Sequence, residues 1–501
     1  MSHMTGFEDL ILGHIFEKDV EQVLTLKEYL KAFQPKRVRP AGELFTYSNY
    51  GSALAGHIVA NVSGMSFEQY VETYIFTPLG MKHSTFREPL GETNLLQMPH
   101  ELELRVSKAF SPSQSSFDQI EHFTFISGVS PAGGISAPVT DMAKFAEEIL
   151  SGCGTILRRE TCGQIQKPSV FFTSANQISM QFGFMQHREY SGHLRLGHNG
   201  GTDYFHSEMG LYPELNFAIL ISTNTTTGKQ FNKELEQAIV KLLFGEIAKK
   251  PLQAGDDITL PADLSFFVGN YIDTRRPQSN VEVLYTFTQP TTYIENDNNK
   301  ALIIKNQNES YRAKPISSHL FVDEENKRYF EFVEDSSGKI TQMKSLGSFD
   351  KVPSFKTPEN RIAILLVTIA LLAFCFITLL ISSIKRFVSN ESATKKRYRR
   401  MVTLCIGLWL VNICLFVFSI IHDLGEFAYP YDFPSPWFKA ASSLSVIMSL
   451  FSLYILATWI KTLRQKDISR FYKLVAAVPV TVITMLVIQM NNLHMLKLYI
   501  F

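Results

Sequence analysis

The sequence predicts an α+β soluble region, then a small antiparallel β domain, then an all-α membrane segment of four helices. Three observations carry that prediction. Residues 1–250 mix helix-period apolar runs with strand-like ones, residues 251–356 hold short alternating runs separated by Asn, Asp, Gly and Ser, and residues 357–501 contain four long uncharged apolar runs. At 501 residues the chain accommodates two or three full cores. Its net charge of +1 gives no electrostatic case for nucleic acid as a partner.

The membrane segment is the clearest element. Residues 362–384, 401–421, 440–460 and 474–490 are free of charge, and a bilayer core needs about 20 apolar residues in a helix. The intervening loops differ in sign. The first carries Lys385, Arg386, Lys395, Lys396, Arg397, Arg399 and Arg400 against Glu391. The second carries Asp423, Glu426 and Asp432 against Lys439, and the third carries Lys461, Arg464, Lys466, Arg470 and Lys473. Basic loops stay in the cytoplasm. The expected localisation is therefore a multi-pass protein of the cell membrane, with the lipid bilayer as partner and residues 1–356 outside the cytoplasm. Trp437 and Trp459, near span ends, fit interfacial anchoring. An exported domain also calls for an apolar signal segment, and Met1–Gly6 is polar and small, so a missing upstream segment is expected.

Within the soluble region, Tyr47-Ser48-Asn49 sits in a Pro/Gly/Phe-rich stretch, and a helix-period run follows it to Val62. A second helix is expected over 70–75 and a third over 140–150, the latter preceded by Pro131-Ala132-Gly133-Gly134-Ile135-Ser136. Strands are expected over 194–198, 204–209 and 216–223, with His198-Asn199-Gly200 closing the first. The order and spacing of Y-x-N, P-A-G-G and H-x-G resemble the serine β-lactamase-related family: class C β-lactamases, DD-peptidases and penicillin-binding proteins. That resemblance covers roughly residues 1–245 and implies a β-lactamase/transpeptidase-like domain.

The resemblance also implies roles. The family's serine, in an S-x-x-K motif, attacks a carbonyl and forms an acyl-enzyme. Tyr47 matches the tyrosine that takes the serine proton together with the motif's lysine; read by itself it is a loop tyrosine. Asn49 matches the residue that holds substrate amides, or is a turn-forming asparagine, and both roles are compatible. His198 matches the strand residue beside the substrate, against the plainer reading of a structural histidine. Gly200 would let substrate approach the backbone, and Gly201 would supply an N–H to the oxyanion hole. The stretch Ser2-His3-Met4-Thr5-Gly6-Phe7 resembles a family segment that lies downstream of S-x-x-K. The expectation is therefore an incomplete domain, N-terminally truncated before the nucleophile, with no nucleophile in these residues. Ser336/Lys339, Ser348/Lys351, Ser382/Lys385 and Ser392/Lys395 match S-x-x-K by letter but follow H-x-G, and are read as chance.

Other features carry less. His3, His14, His57, His83 and His206 have no metal-ligand spacing, so neither zinc nor another cofactor is expected. Cys153 and Cys162 stand outside the apolar runs, and two unpaired buried thiols are expected there rather than a disulfide. In the β region, 281–288, 301–305, 319–322 and 329–333 read as strands. Phe267-Val268-Gly269-Asn270-Tyr271 resembles the opening of the barrel-like accessory domains appended to this family, with a spacer as the expected role. The functional expectation is a membrane-anchored serine hydrolase acting on an amide or ester, with a cell-wall peptide or small amide or ester as candidate substrate, inactive without its nucleophile. The rival is a non-catalytic remnant or peptide-binding membrane protein.

Overall fold

The computed structural model describes all residues except 1, 11, 92–95, 114–115, 166, 168–169, 172, 175–177, 189–191, 248–259, 308, 324, 326–327, 386–391, 425–432, 466–467 and 500–501. Arg386, Glu391, Glu426, Asp432 and Lys466 of the charged loops lie outside the described residues, as does the expected boundary at 250. The chain forms two compact units. One comprises Met1–Arg276 and Thr291–Val352, the other Pro277–Pro290 and Pro353–Phe501.

The first unit opens with helix α1 (Leu26–Ala32), fixed by a Thr25/Glu28 capping box, and α2 (Asn49–Ser63). Ser48 caps α2 by accepting the Gly51 N–H at 3.0 Å, and Gly64 ends it at φ 71°. The expected helix over 70–75 is a longer composite: Phe67–Val71 is α-helical, Glu72–Phe76 is a π-turn and Thr77–Leu79 closes it. Ser127–Ala132, a 3-10 segment, packs on α2 because Gly56 has no side chain: a Cβ there would lie 2.4 Å from Pro131 Cγ. The P-A-G-G loop thus docks on the helix that begins at Asn49.

After a small hairpin (β1 Ala109–Pro112, β2 Phe117–Ile120) come helix α3 (Val139–Leu150) and an antiparallel sheet in sequential order. Its strands are β3 (Val170–Phe171), β4 (Ile178–Gln181), β5 (Phe184–His187), β6 (Arg195–Gly201), β7 (His206–Tyr212) and β8 (Phe217–Thr223). Helix α4 (Gly228–Phe244) follows. Alternation along the strands separates two cores. Leu196, Leu211 and Ala218 pack with Ala146 and Ile149 of α3, whereas Tyr212, Ile219 and Ile221 pack with Val240 of α4. The apolar β8 therefore has cover on both faces. Strands β6 and β7 begin and end one to three residues later than their apolar cores suggest, because ladder pairing continues through Gly200 and Gly201.

Cys153 and Cys162 form a disulfide. This overturns the expectation of two free thiols. Gly152, Cys153 and Gly154 all adopt positive φ after α3, and that turn returns the chain toward Cys162, a conformation that residue spacing does not encode.

The β region is a closed eight-stranded barrel. Its strands are β9 (Gly269–Asp273), β10 (Thr292–Asp297), β11 (Ala301–Lys305), β12 (Ser310–Pro315), β13 (Leu320–Asp323), β14 (Arg328–Glu334), β15 (Ile340–Lys344) and β16 (Ser348–Val352), and β16 pairs back on β9. Phe267, Tyr271, Phe321, Phe330 and Phe332 fill it with mutually tilted rings. One expected strand is wrong: Val281–Thr288 is a 3-10 helix. Asn280 caps it through the Glu282 N–H, Thr286 Oγ1 donates to the Val283 carbonyl, and Val283 and Thr286 are buried at the three-residue period of that helix.

The second unit contains α5 (Pro358–Lys385), α6 (Ala393–Leu424), α7 (Pro436–Leu463) and α8 (Arg470–Asn492). All four are long and apolar enough to cross a membrane. Polar pairs join them: Asn412 Nδ2 donates to Ser445 Oγ at 2.6 Å, Trp409 Nε1 to Ser452 Oγ at 3.0 Å, and Gln489 Nε2 to Thr368 Oγ1 at 2.8 Å. The 3-10 segment belongs to this unit, with Arg361 of α5 over the Phe287 ring and His494 Nε2 donating to the Gln278 carbonyl.

Candidate functional site

The Y-x-N and H-x-G motifs meet. Tyr47 lies in the loop that ends at the Ser48 cap, and Asn49 is the first residue of α2. His198 lies on β6, its ring centroid 5.9 Å from that of Tyr47. Strand β6 is anchored behind His198 by the buried Arg195, whose Nη2 lies 2.5 Å from Glu208 Oε1 and whose Nε lies 2.7 Å from Glu236 Oε1. Tyr212 donates to the same Glu236 oxygen at 2.8 Å. Burial pushes the Glu208 carboxyl up to about 7 despite the attraction of Arg195.

Beyond that anchor β6 overhangs. Its pairing with β5 stops at Gly197, whereas residues 198–201 pair only with β7 among the described residues. Gly200 and Gly201 are exposed there. Gly200 also has a local reason to be glycine, since a Cβ would lie 2.5 Å from Ser207 Oγ on β7.

Two contributors escaped the sequence reading. His3, at φ 51°, stacks on Tyr47 with centroids 4.1 Å apart and rings inclined by 29°. Its Nδ1 accepts the Ser48 N–H at 3.2 Å, which leaves the proton on Nε2. The motif stretch around His3 pointed to this segment, but not to a stacked ring. Arg275, from the turn after β9, places its guanidinium 4.5 Å from the Tyr47 ring centroid, and its Nε lies 2.7 Å from Asp9 Oδ2. No sequence signal pairs it with residues so far upstream.

The electrostatics are mostly those of burial. Burial, then the neighbouring His198 and Arg275 charges, push His3 down to about 4. Burial likewise lowers His198, with Arg195 and Arg275 adding to it and the Asn199 carbonyl opposing. Burial raises the Tyr47 phenol above its usual value of 10; Arg275 pulls it down and Asp9 pushes it up, and burial wins. At neutral pH the site therefore holds a neutral phenol, two neutral imidazoles and one Arg–Asp pair. His198 Nδ1 donates to the Asn199 carbonyl, so its Nε2 accepts. The arrangement offers O–H and N–H donors to a carbonyl group, beside one acceptor nitrogen.

The four S-x-x-K letter matches lie elsewhere. Ser336 and Lys339 sit in the β14–β15 turn. Ser348 and Lys351 lie three apart on β16, hence on opposite faces, and Lys351 Nζ donates to the Phe266 carbonyl. Ser382 and Lys385 are at the end of α5, and Ser392 and Lys395 flank the start of α6. Among the described residues no group of His, Cys, Asp and Glu is arranged to hold a metal.

The family described as Beta-lactamase matches residues 1–244, which include all three motifs. Residues 1–244 belong to the serine β-lactamase/transpeptidase-like family. Penicillin-binding protein 4* of Bacillus subtilis is 21% identical over 295 residues, 54% of this chain and 61% of that protein. Unguisins hydrolase ungD of Aspergillus violaceofuscus is 23% identical over 258 residues, 46% of this chain and 43% of that protein. The chain thus spans less than two thirds of the length of either relative. Among solved structures, the octameric penicillin-binding protein homologue from Pyrococcus abyssi is 20% identical, with 70% of this chain and 76% of that one covered at a TM-score of 0.41.

Proposed function

We propose that this chain is a membrane-anchored serine hydrolase of the β-lactamase-related family, acting on an amide or ester outside the cytoplasm. The observation that carries the reading is the convergence of Tyr47 and His198 beside the overhanging end of β6. That edge offers backbone groups to an extended substrate, and Gly201 matches in sequence the residue that supplies the family's oxyanion donor. Tyr47 hands protons, Asn49 orients the amide and His198 flanks the substrate. A cell-wall peptide or a small amide or ester is the substrate class, and no nucleic acid is bound. The basic first and third membrane loops support an outside location for residues 1–356, and the Cys153–Cys162 disulfide suits an oxidising compartment.

On this reading, with the Tyr47 phenol neutral and none of the four S-x-x-K serines beside it among the described residues, these 501 residues are expected not to form an acyl-enzyme by themselves. The test expresses them in cells with topology reporters after Asn390 and Glu426 and treats the membranes with penicillin and fluorophosphonate probes. The reporters should read inside and outside respectively, and no serine should be labelled. Reversed reporters would remove the extracytoplasmic site. Labelling at Ser336, Ser348, Ser382 or Ser392 would show that the acylating serine is one of those dismissed.

A further inference from the structure

The barrel grips the segment around Tyr47 at three points, two through the short turn that follows β9 and one through Asp350 of β16. Thr274 Oγ1 and Thr46 Oγ1 share a hydrogen bond at 3.1 Å, both buried. Arg276 Nη2 and Arg39 Nη2 both reach Asp350 Oδ2, at 2.7 and 2.5 Å, so one barrel carboxylate ties the turn to the segment leading into the loop. Between these anchors Arg275 extends over the Tyr47 ring. The turn itself is preset: Asp273 Oδ1 accepts the Arg275 N–H at 2.7 Å, and the Thr274 N–H donates to the Ser348 carbonyl at 2.9 Å. Asp9, itself 6% exposed, holds Nε and thereby the plane of the guanidinium. Arg275 is crowded yet keeps 45% of its side-chain surface, so water reaches it.

We propose that Arg275 is a positioning residue for the Tyr47 site: the barrel supplies, through this turn, a fixed cation that seats the Tyr47 ring and biases the two imidazoles beside it. The barrel is then a working part of the site and not a spacer. Arginine suits the task because its charge persists across the physiological range and its flat group stacks on an aromatic face. It stabilises negative charge developing at the phenol oxygen or on a nearby substrate oxygen without titrating itself. This role in chemistry rests on the hydrolase reading; the coupling of Arg275 to Tyr47, His3 and His198 does not, and the experiment reads that coupling directly.

The experiment uses the full chain in detergent micelles with labelled histidine and follows the His3 and His198 imidazoles by NMR across pH, assigned with His3→Gln and His198→Gln. Arg275→Gln should raise both titration midpoints, because a cation that disfavours the imidazolium is gone, and Arg275→Lys should return them toward the wild-type values. A purely structural role would move the midpoints in both variants alike. Unchanged midpoints in an Arg275→Gln protein with a native circular dichroism spectrum would overturn the proposal. Should that variant not fold, the wild type decides: an Overhauser contact between the Arg275 methylenes and the Tyr47 ring, kept in Tyr47→Phe and lost in Tyr47→Leu, supports the proposal, and its absence overturns it. None of these readouts needs a substrate, so a failure to hydrolyse anything leaves them intact.

Discussion

The six-stranded sheet and the eight-stranded barrel share one connectivity, each strand antiparallel to its sequence neighbour, and finish it differently. The barrel closes when β16 returns to β9, so its inward faces meet and aromatic rings suffice as a core. The sheet stays open. It needs α3 on one face and α4 on the other, and it ends with β8 paired only to β7 in the strand order. Its central strand β6 runs past β5 and leaves residues 198–201 half-paired. A closed barrel has no backbone groups to offer a guest, whereas an open sheet has them and carries the hazards of an edge. The H-x-G motif lies at the free end of the open sheet, and the closed barrel sends Arg275 to the Tyr47 ring beside it.

The comparison breaks most visibly if the open sheet is separated from the barrel. Residues 1–250 alone lose Asp350 from Arg39 and Arg275 from Asp9, and removing one partner of a largely buried pair such as Arg39–Asp350 costs about 3–5 kcal/mol. Total stabilities are about 5–15 kcal/mol, and the apolar β8 remains at the end of the sheet. We expect that fragment to aggregate or to unfold without a cooperative transition when heated and followed by circular dichroism. A sharp two-state melt would show that the sheet stands without the barrel.

A smaller effect is expected at the disulfide, which ties the end of α3 to the segment packed under the sheet. Closing so short a loop is worth about 2–3 kcal/mol. Cys153→Ser/Cys162→Ser should therefore lower the denaturant midpoint of the soluble unit without altering the slope of the transition. An unchanged midpoint would mean that α3 is held by packing with Leu196 and Leu211 alone.

The smallest effects are those of pH, and they have opposite signs in two places. Burial, aided by the Glu68 charge and opposed by the Ile126 N–H, pushes Glu88 up to about 8. A raised carboxyl favours folding when protonated, so its contribution is complete below the ordinary value of 4.5 and fades as pH rises through 8. His3, pushed down to about 4, contributes fully above 6.5 and loses that contribution as pH falls through 4. Melting temperatures measured across this range should show Glu88→Gln gaining on the wild type as pH rises. His3→Gln should gain on the wild type as pH falls. Parallel curves for either variant would mean that the group is not held in its neutral form.

Much of this molecule was legible in its sequence. The four apolar helices, the strands β8, β11 and β14, and the order of the three motifs follow from periodicity and turn residues. Val281–Thr288 misled because Val-Glu-Val-Leu-Tyr-Thr-Phe-Thr alternates like a strand, whereas the Asn280 cap and the threonine hydroxyls satisfy a helical backbone locally. His3 and Arg275 were not legible as partners of Tyr47. The neighbouring contact between Thr46 and Thr274 spans 228 residues, and no local pattern encodes a contact set by the docking of a barrel turn on a loop. The disulfide was missed for a related reason: the left-handed turn at Gly152-Cys153-Gly154, not the spacing, brings the sulfurs together.

The segment Pro277–Pro290 leaves the barrel between β9 and β10, joins the bundle unit, and returns. The polypeptide therefore passes between the two units at three peptide junctions: after Arg276, after Pro290 and after Val352. A protease that cuts after Val352 severs the covalent leash and still leaves a hook, the 3-10 segment lodged against α5 with Phe287 under Arg361. Release of the first unit from the helical bundle thus demands more than one scission, and a single nick produces a two-chain protein that stays moored.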